Sequence, residues 1–184
     1  TKLYDLVESG KLELLDESIE RNMYWKVKNI LEQNGYKHYE ISNFAKQGYE
    51  SKHNLNCWNQ EEYLGMGVAA HSYLNNKRYS NTENLEQYIN KLLDEEGIKN
   101  DIVTVHEEQT LEDKQKEYML LGLRKIEGVK ISDFKNKFVQ NPIYIFRKEL
   151  DKLVKEDLIQ VEDNNIKLTK KGLDLANLVF EEFV

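Results

Sequence analysis

The chain has 184 residues, 33 acidic against 26 basic side chains, a formal charge of −7 and 40% hydrophobic residues. That length and apolar content suit one large domain or two small ones with a buried core. The acidic balance argues against general affinity for nucleic acid or anionic membrane, no apolar run approaches the roughly 20 residues of a membrane helix, and a single cysteine, Cys57, excludes an internal disulfide or an all-cysteine metal site built by this chain alone.

Near the start, Leu3-Tyr4-Asp5-Leu6 follows Thr1 without a signal-peptide pattern, so a cytosolic fragment of a longer protein is expected. From Asp16 to Asn34 the apolar residues Ile19, Met23, Val27, Ile30 and Leu31 fall on one stripe. They predict an amphipathic helix with Asp16 as N-cap and Gly35 as stop. Tyr36 to Phe44 is rich in β-formers and predicts a strand, which makes a helix-then-strand unit of the α/β kind. Ala45 to Tyr63 has no clean period and predicts a long loop with room for a short turn of helix, and long ordered loops are often functional. Gly65 to Leu74 is small, apolar and strand-like, Asn75-Asn76 turns the chain, and Leu85, Tyr88, Ile89, Leu92 and Leu93 form a further helical stripe. Glu95 to Glu108 is polar and predicts a linker.

The pattern then changes. Thr110 with Asp113 resembles a capping box for a helix to about Ile126, ended by Gly128. Ser132 is expected to cap a short helix with Phe134 and Phe138, and Asn141-Pro142 opens a third with Phe146, Leu150, Leu153 and Val154 on one side. Leu158 to Val161 and Ile166 to Leu168 predict a hairpin over Asp163-Asn164-Asn165, and Thr169 caps a last helix. Three helices, a hairpin and a helix are the order of a winged helix. A groove-reading helix carries a clear basic excess, yet from His106 to Val184 acidic residues outnumber basic ones, 16 to 14. The hairpin tip is acidic too, so the unit is expected to serve packing rather than DNA.

Chemistry concentrates in the middle. His53, Cys57 and Trp58 lie close together. A neutral imidazole or a thiolate can ligate iron, and an indole offers a face for a flat macrocycle. The same residues also fit a hydrogen-bonded structural pair beside a small buried cysteine, and spacing alone does not separate the two. Gly65-x-Gly67 followed by Ala69-Ala70 would let a ligand or a neighbouring backbone come close. It is no phosphate loop, lacking a third glycine in register and a Lys-Ser/Thr pair. His71, in an apolar run, is expected to be a satisfied core histidine.

Taken together, Tyr39-Glu40-Ile41-Ser42-Asn43-Phe44-Ala45, His53-Asn54-x-x-x-Trp58 and Gly65-Met66-Gly67-x-x-Ala70-His71-Ser72-Tyr73 closely resemble the HemW branch of the radical-SAM coproporphyrinogen III oxidase-like proteins. Thr1-x-Leu3-Tyr4 is similar to the family's segment after its fifth barrel strand, so the resemblance spans essentially the whole chain. It implies an α+β chain: the C-terminal remainder of a partial (β/α) radical-SAM barrel over 1–95, a linker at 96–108, and a winged-helix-like HemN C-terminal domain over 109–184. A portion upstream would carry the three cysteines of a [4Fe-4S] cluster and most S-adenosylmethionine contacts. This chain lacks the cluster cysteines and is not expected to be catalytic alone.

The HemW branch is understood as haem chaperones that pass haem to acceptor proteins, and its His-Asn-x-x-Tyr-Trp pattern is proposed to take part in haem binding. The resemblance therefore assigns haem contacts to His53, Asn54, Cys57 and Trp58, with Cys57 standing where the pattern has tyrosine, and it places Gly65 and Gly67 beside the S-adenosylmethionine pocket. The expectation is a cytoplasmic haem-trafficking protein. Two rivals stay open: an oxygen-independent coproporphyrinogen III oxidase in the full-length protein, and a partner-binding winged-helix module. Exposed barrel edges also offer a route to homo-oligomers.

Overall fold

The computed structural model describes residues 1–93 and 103–184 and shows two compact units, Thr1–Glu50 and Ser51–Val184.

In the first unit, helix α1 (Lys2–Glu8) is capped by Thr1, and α2 (Glu17–Gln33) by Asp16, whose Oδ1 accepts from the Ser18 N–H at 2.8 Å. Gly35, at φ +80°, takes the left-handed turn that stops α2. The predicted helix is therefore present, with Ile19, Met23, Val27 and Ile30 of its stripe each about half exposed. The single strand expected over 36–44 is instead a tight hairpin, β1 (Lys37–Glu40) and β2 (Asn43–Ala45), antiparallel with His38 opposite Phe44. The Asn43 side-chain amide donates to the Glu40 carboxylate across the turn. That short-range bond reverses the chain within an otherwise β-favouring run. His38 stacks on Phe44 (centroids 4.3 Å apart, planes at 15°), and Tyr24 of α2 donates its hydroxyl to the Ile41 carbonyl at 3.2 Å.

The second unit begins with α3 (Lys52–Trp58), followed by the hairpin β3 (His71–Leu74) and β4 (Lys77–Asn81), α4 (Leu85–Leu93) and β5 (Val103–Glu108). Asn75 and Asn76 turn the hairpin with φ of 50° and 62°, the left-handed pair that a two-residue loop demands. β5 pairs antiparallel with β4, giving the sheet order β3-β4-β5. Residues 103–108 are thus a strand where polar composition predicts a linker, because β4 offers a free edge and Lys77 and Arg78 meet Glu108 and Glu107 across it. Residues 96–102 of that expected linker lie outside the described residues. Only 71–74 of the strand expected at 65–74 is extended, since Gly67 at φ +112° and Ala69 at +58° hold a turn ahead of it.

The capping box at Thr110 is present, with its side chain accepting from Asp113 N–H and the Asp113 carboxylate accepting from Thr110 N–H, and it opens α5 (Leu111–Gly122). After β6 (Val129–Lys130) come α6 (Ile131–Phe138), α7 (Pro142–Ile145), α8 (Arg147–Lys155), β7 (Ile159–Glu162), β8 (Asn165–Leu168), α9 (Lys170–Asp174) and α10 (Ala176–Glu181). The sheet order is β6-β8-β7, so β6 crosses to the hairpin's inner strand. Ser132 does not cap α6. The helix starts directly from β6, and Asn164 in the hairpin turn accepts from the Ser132 N–H at 3.0 Å, doing that work across the sheet. The single third helix is broken at Phe146 (φ −103°, ψ 30°), whose ring packs edge-on against Phe134 and Phe183. The last helix is likewise broken at Leu175.

Met119, Leu123, Phe134, Leu153, Ile166, Val179 and Phe183 are all at most 2% exposed and form the core of this region. Two glycines sit where that packing leaves no room for a side chain. A Cβ on Gly128, which is also left-handed at φ +75°, would stand 2.1 Å from the Ile166 carbonyl oxygen, and one on Gly172 would stand 1.8 Å from that of Leu158. Gly172→Ala is therefore expected to destabilise the protein by about 1–3 kcal/mol through forced backbone displacement, read as a lowered urea midpoint; a midpoint equal to the parent's would contradict the packing described. A second expectation concerns pH. Burial holds the His38 imidazole below its ordinary value of 6.5, so folding favours its neutral form. Stability of the first unit should accordingly be full above pH 6.5, fall as the pH drops from there towards the lowered folded value, and level off below it. His38→Gln should flatten that slope in thermal melts between pH 8 and 5.

Candidate functional site

The residues 45–63 expected as a loop contain the short helix α3. Ser51 caps it, its hydroxyl accepting from the Asn54 N–H at 3.3 Å. His53 and Cys57 are one helical turn apart and share a face, with Cys57 Sγ 3.9 Å from His53 Nε2. His53 is exposed and Cys57 half-buried, and the Tyr63 ring stands edge-on to the imidazole with centroids 6.3 Å apart. Burial pushes the Cys57 thiol up, and the nearby Arg78 charge opposes this only in part. Cys57 is accordingly a protonated thiol at neutral pH, which leaves the imidazole as the stronger donor on that face.

Trp58 is half-buried at the end of the helix. The Arg124 guanidinium lies over its ring at 4.5 Å and also reaches Phe180 at 5.6 Å, while the indole N–H is buried without a partner. One face of the indole is therefore occupied by a cation and closed to a macrocycle. Beside Cys57 and Trp58 is a cavity of ≈ 190 Å³ lined further by Tyr63, Tyr73, Arg78 and Leu121. Small-molecule pockets run from about 300 Å³ upward, so this cavity does not enclose a tetrapyrrole. The approach open to one is the exposed His53 side of α3. Tyr63, Arg78 and Arg124 carried no local sequence signal, because each reaches the site only through tertiary contact.

The two glycines differ. At Gly65 a Cβ would stand 2.1 Å from the His71 carbonyl oxygen, so the missing side chain makes room for the neighbouring backbone. At Gly67 nothing lies within 4 Å of that position. Both amides are satisfied internally: Gly65 N–H donates to Ser72 Oγ at 3.0 Å and Gly67 N–H to Tyr88 Oη at 3.1 Å. His71 is exposed rather than a core histidine, because β3 turns its side chain outward, where it stacks against His106 with centroids 5.7 Å apart. Among the described residues no group of three or more His, Cys, Asp or Glu is placed to hold a metal ion. One cysteine in the whole chain does not fit a [4Fe-4S] cluster.

Residues 109–175 match the HemN C-terminal domain. The chain is 38% identical over 184 residues to the heme chaperone HemW of Bacillus subtilis (strain 168), covering 100% of this chain and 48% of that protein. It is 36% identical over 175 residues to the heme chaperone HemW of Lactococcus lactis subsp. lactis (strain IL1403), covering 95% and 45%. The chain thus spans about half the length of these curated relatives. Among solved structures, coproporphyrinogen III oxidase (HemN) from Escherichia coli, described as a radical SAM enzyme, superposes with a TM-score of 0.64 at 20% identity, over 86% of this chain and 39% of that one, a likeness of fold. With a HemN C-terminal domain match at 109–175 and HemW relatives along its full length, the chain is similar to about half of the heme chaperone HemW proteins.

Proposed function

We propose that the chain is part of a haem chaperone and that His53 supplies an axial ligand to the haem iron. The observation that carries this is the exposed His53 imidazole on α3, with a protonated Cys57 thiol one turn along the same face. Haem, when bound, supplies an iron centre with a free axial position. His53 presents the nitrogen. Ser51 fixes the first turn of α3 and so the direction of that ring, and Asn54 belongs to the site through the backbone N–H it gives to this cap. Trp58, pinned on one face by Arg124, offers at most its opposite face or edge to the macrocycle. A chaperone must give its cargo up, and one ligand on an open helix face favours release over storage.

The same proposal extends to the rest of the protein. The first unit, with its helix-then-hairpin order, is read as belonging to a partial (β/α) barrel. Residues 109–184 are read as a winged helix, supported by the helices α5, α6, α7 and α8 ahead of the β7–β8 hairpin and by β6 completing its sheet. Acidic and basic residues balance there, 14 to 14, and the lack of a basic excess favours a protein partner, a haem acceptor, over nucleic acid. No helix among the described residues is long and apolar enough to cross a membrane, in keeping with a cytoplasmic role. The cluster and S-adenosylmethionine belong to the whole protein. Of the two glycines, Gly67, with open space where a side chain would stand, is the better position for a cofactor to come near.

Titration of ferric haem into the protein, followed at the Soret band, tests the assignment. His53→Ala is expected to weaken binding roughly tenfold or more, in line with the loss of a metal-site contact, and to change the ligand-field bands. If His53→Ala binds haem with the parent's spectrum and affinity, His53 is not the ligand.

A further inference from the structure

The C-terminal end of α3 is gripped by the domain that follows it. Gln60, just beyond the helix, is 4% exposed and sits in the left-handed region at φ 55°, which side chains other than glycine and asparagine rarely adopt. Its side-chain amide donates to the Lys114 carbonyl at 3.0 Å and to the Glu117 carboxylate at 2.8 Å, both on α5. Lys137 of α6 donates from Nζ to the carbonyls of Asn59 (3.2 Å) and Gln60 (2.9 Å), and Lys125 donates to Asn59 Oδ1 at 2.6 Å. The carbonyls at a helix C-terminus lack intrahelical partners and carry the negative end of its dipole, so an ammonium is the group that suits them. The two lysines are held there although burial depresses the pKa of each. Arg124, over Trp58, adds a third cation to the same end.

α3 is only seven residues long and none of its residues is buried. Isolated helices of this length are marginal in water. Its placement therefore depends on tertiary contacts, and they converge on its last turn and the two residues after it. We propose that the HemN C-terminal domain is the positioning element of the haem site: Gln60, Lys125 and Lys137 hold the end of α3 and thereby aim His53. This rests on the haem-binding reading given above and extends it to residues that touch no haem. A further consequence concerns release. Whatever loosens α5 or α6 loosens the ligand, so a partner that binds this domain would reach the haem through α3.

The test uses the full chain with Gln60→Gly, which keeps the left-handed backbone and drops both side-chain bonds, and with Lys137→Met and its conservative counterpart Lys137→Arg. Two readouts are taken beside circular dichroism. The first is the reaction rate of Cys57, the only cysteine, with a disulfide reagent, which reports the seating of α3 without haem. The second is the rate of haem loss to apomyoglobin. Gln60→Gly and Lys137→Met are expected to raise both rates several-fold with helix content retained, and Lys137→Arg to return them to near the parent's. Unchanged thiol reactivity and haem loss in both variants would overturn the positioning role while leaving His53 ligation intact. Raised thiol reactivity in a parent that binds no haem would keep the grip on α3 and overturn its haem role. Failure of Lys137→Arg to rescue, with both other variants raised, would take Lys137 out of the grip and leave it to Gln60 and Lys125.

Discussion

Glu117 is the side chain on which the second unit depends. From the middle of α5 its carboxylate receives Arg78 of β4 in an ion pair, the Gln60 amide at 2.8 Å and the Gln109 amide at 3.1 Å. Sheet, the end of α3 and domain entrance thus meet at one carboxylate. Both Gln60 and Gln109 are under a tenth exposed. Removing the acceptor would strand several buried donors at once, a cost larger than the net worth of any one of these bonds. Arg78 is shared further, with Glu107 on β5 at 3.8 Å and with the face of Tyr73 at 5.2 Å. The polar centre is therefore a network with an aromatic wall.

That network works only because α5 itself cannot move. Its opposite face supplies Tyr118 and Met119 to a core in which Phe134, Phe138, Phe146 and Phe183 meet mostly edge to face, with centroids 4.7 to 6.2 Å apart. A helix with one face in such a core presents the other in a fixed register. Hence the position of Glu117, and through Gln60 the end of α3, is set by aromatic packing far from His53. Apolar burial supplies the rigidity, and the charges spend it on orientation.

Much of this was legible in the sequence wherever the cause is local. The Asp16 cap, the Thr110–Asp113 box, the Asn75-Asn76 turn, the Asn141-Pro142 helix start and the β7–β8 hairpin all follow from side chains acting within a few residues of themselves. The failures share a different cause. β5 is exposed on every residue and forms because β4 has an edge to offer. α6 needs no cap from Ser132 because Asn164, 32 residues on, provides it. The breaks at Phe146 and Leu175 come from the demands of the core, which a helical period along one segment does not record. α3 is legible only as room for a short turn of helix, for both reasons. Asn54, Asn56 and His53 are indifferent helix formers, and what holds the helix lies on α5 and α6.

The same division runs through the site. His53, Cys57 and Trp58 could be singled out by type and spacing, but spacing places all three in one group, and the fold separates them. His53 is exposed, whereas Cys57 and Trp58 are both half-buried and line one cavity, Trp58 beneath Arg124. Among residues close in sequence, then, one is open to solvent and another is covered by a cation. A ligand borne on a short, externally held helix couples affinity to the stability of its support. For the haem carrier proposed above, that coupling would be an advantage. A deep pocket would bind more tightly, but release would then require opening the core, whereas on the proposed reading it would require only that the end of one seven-residue helix let go.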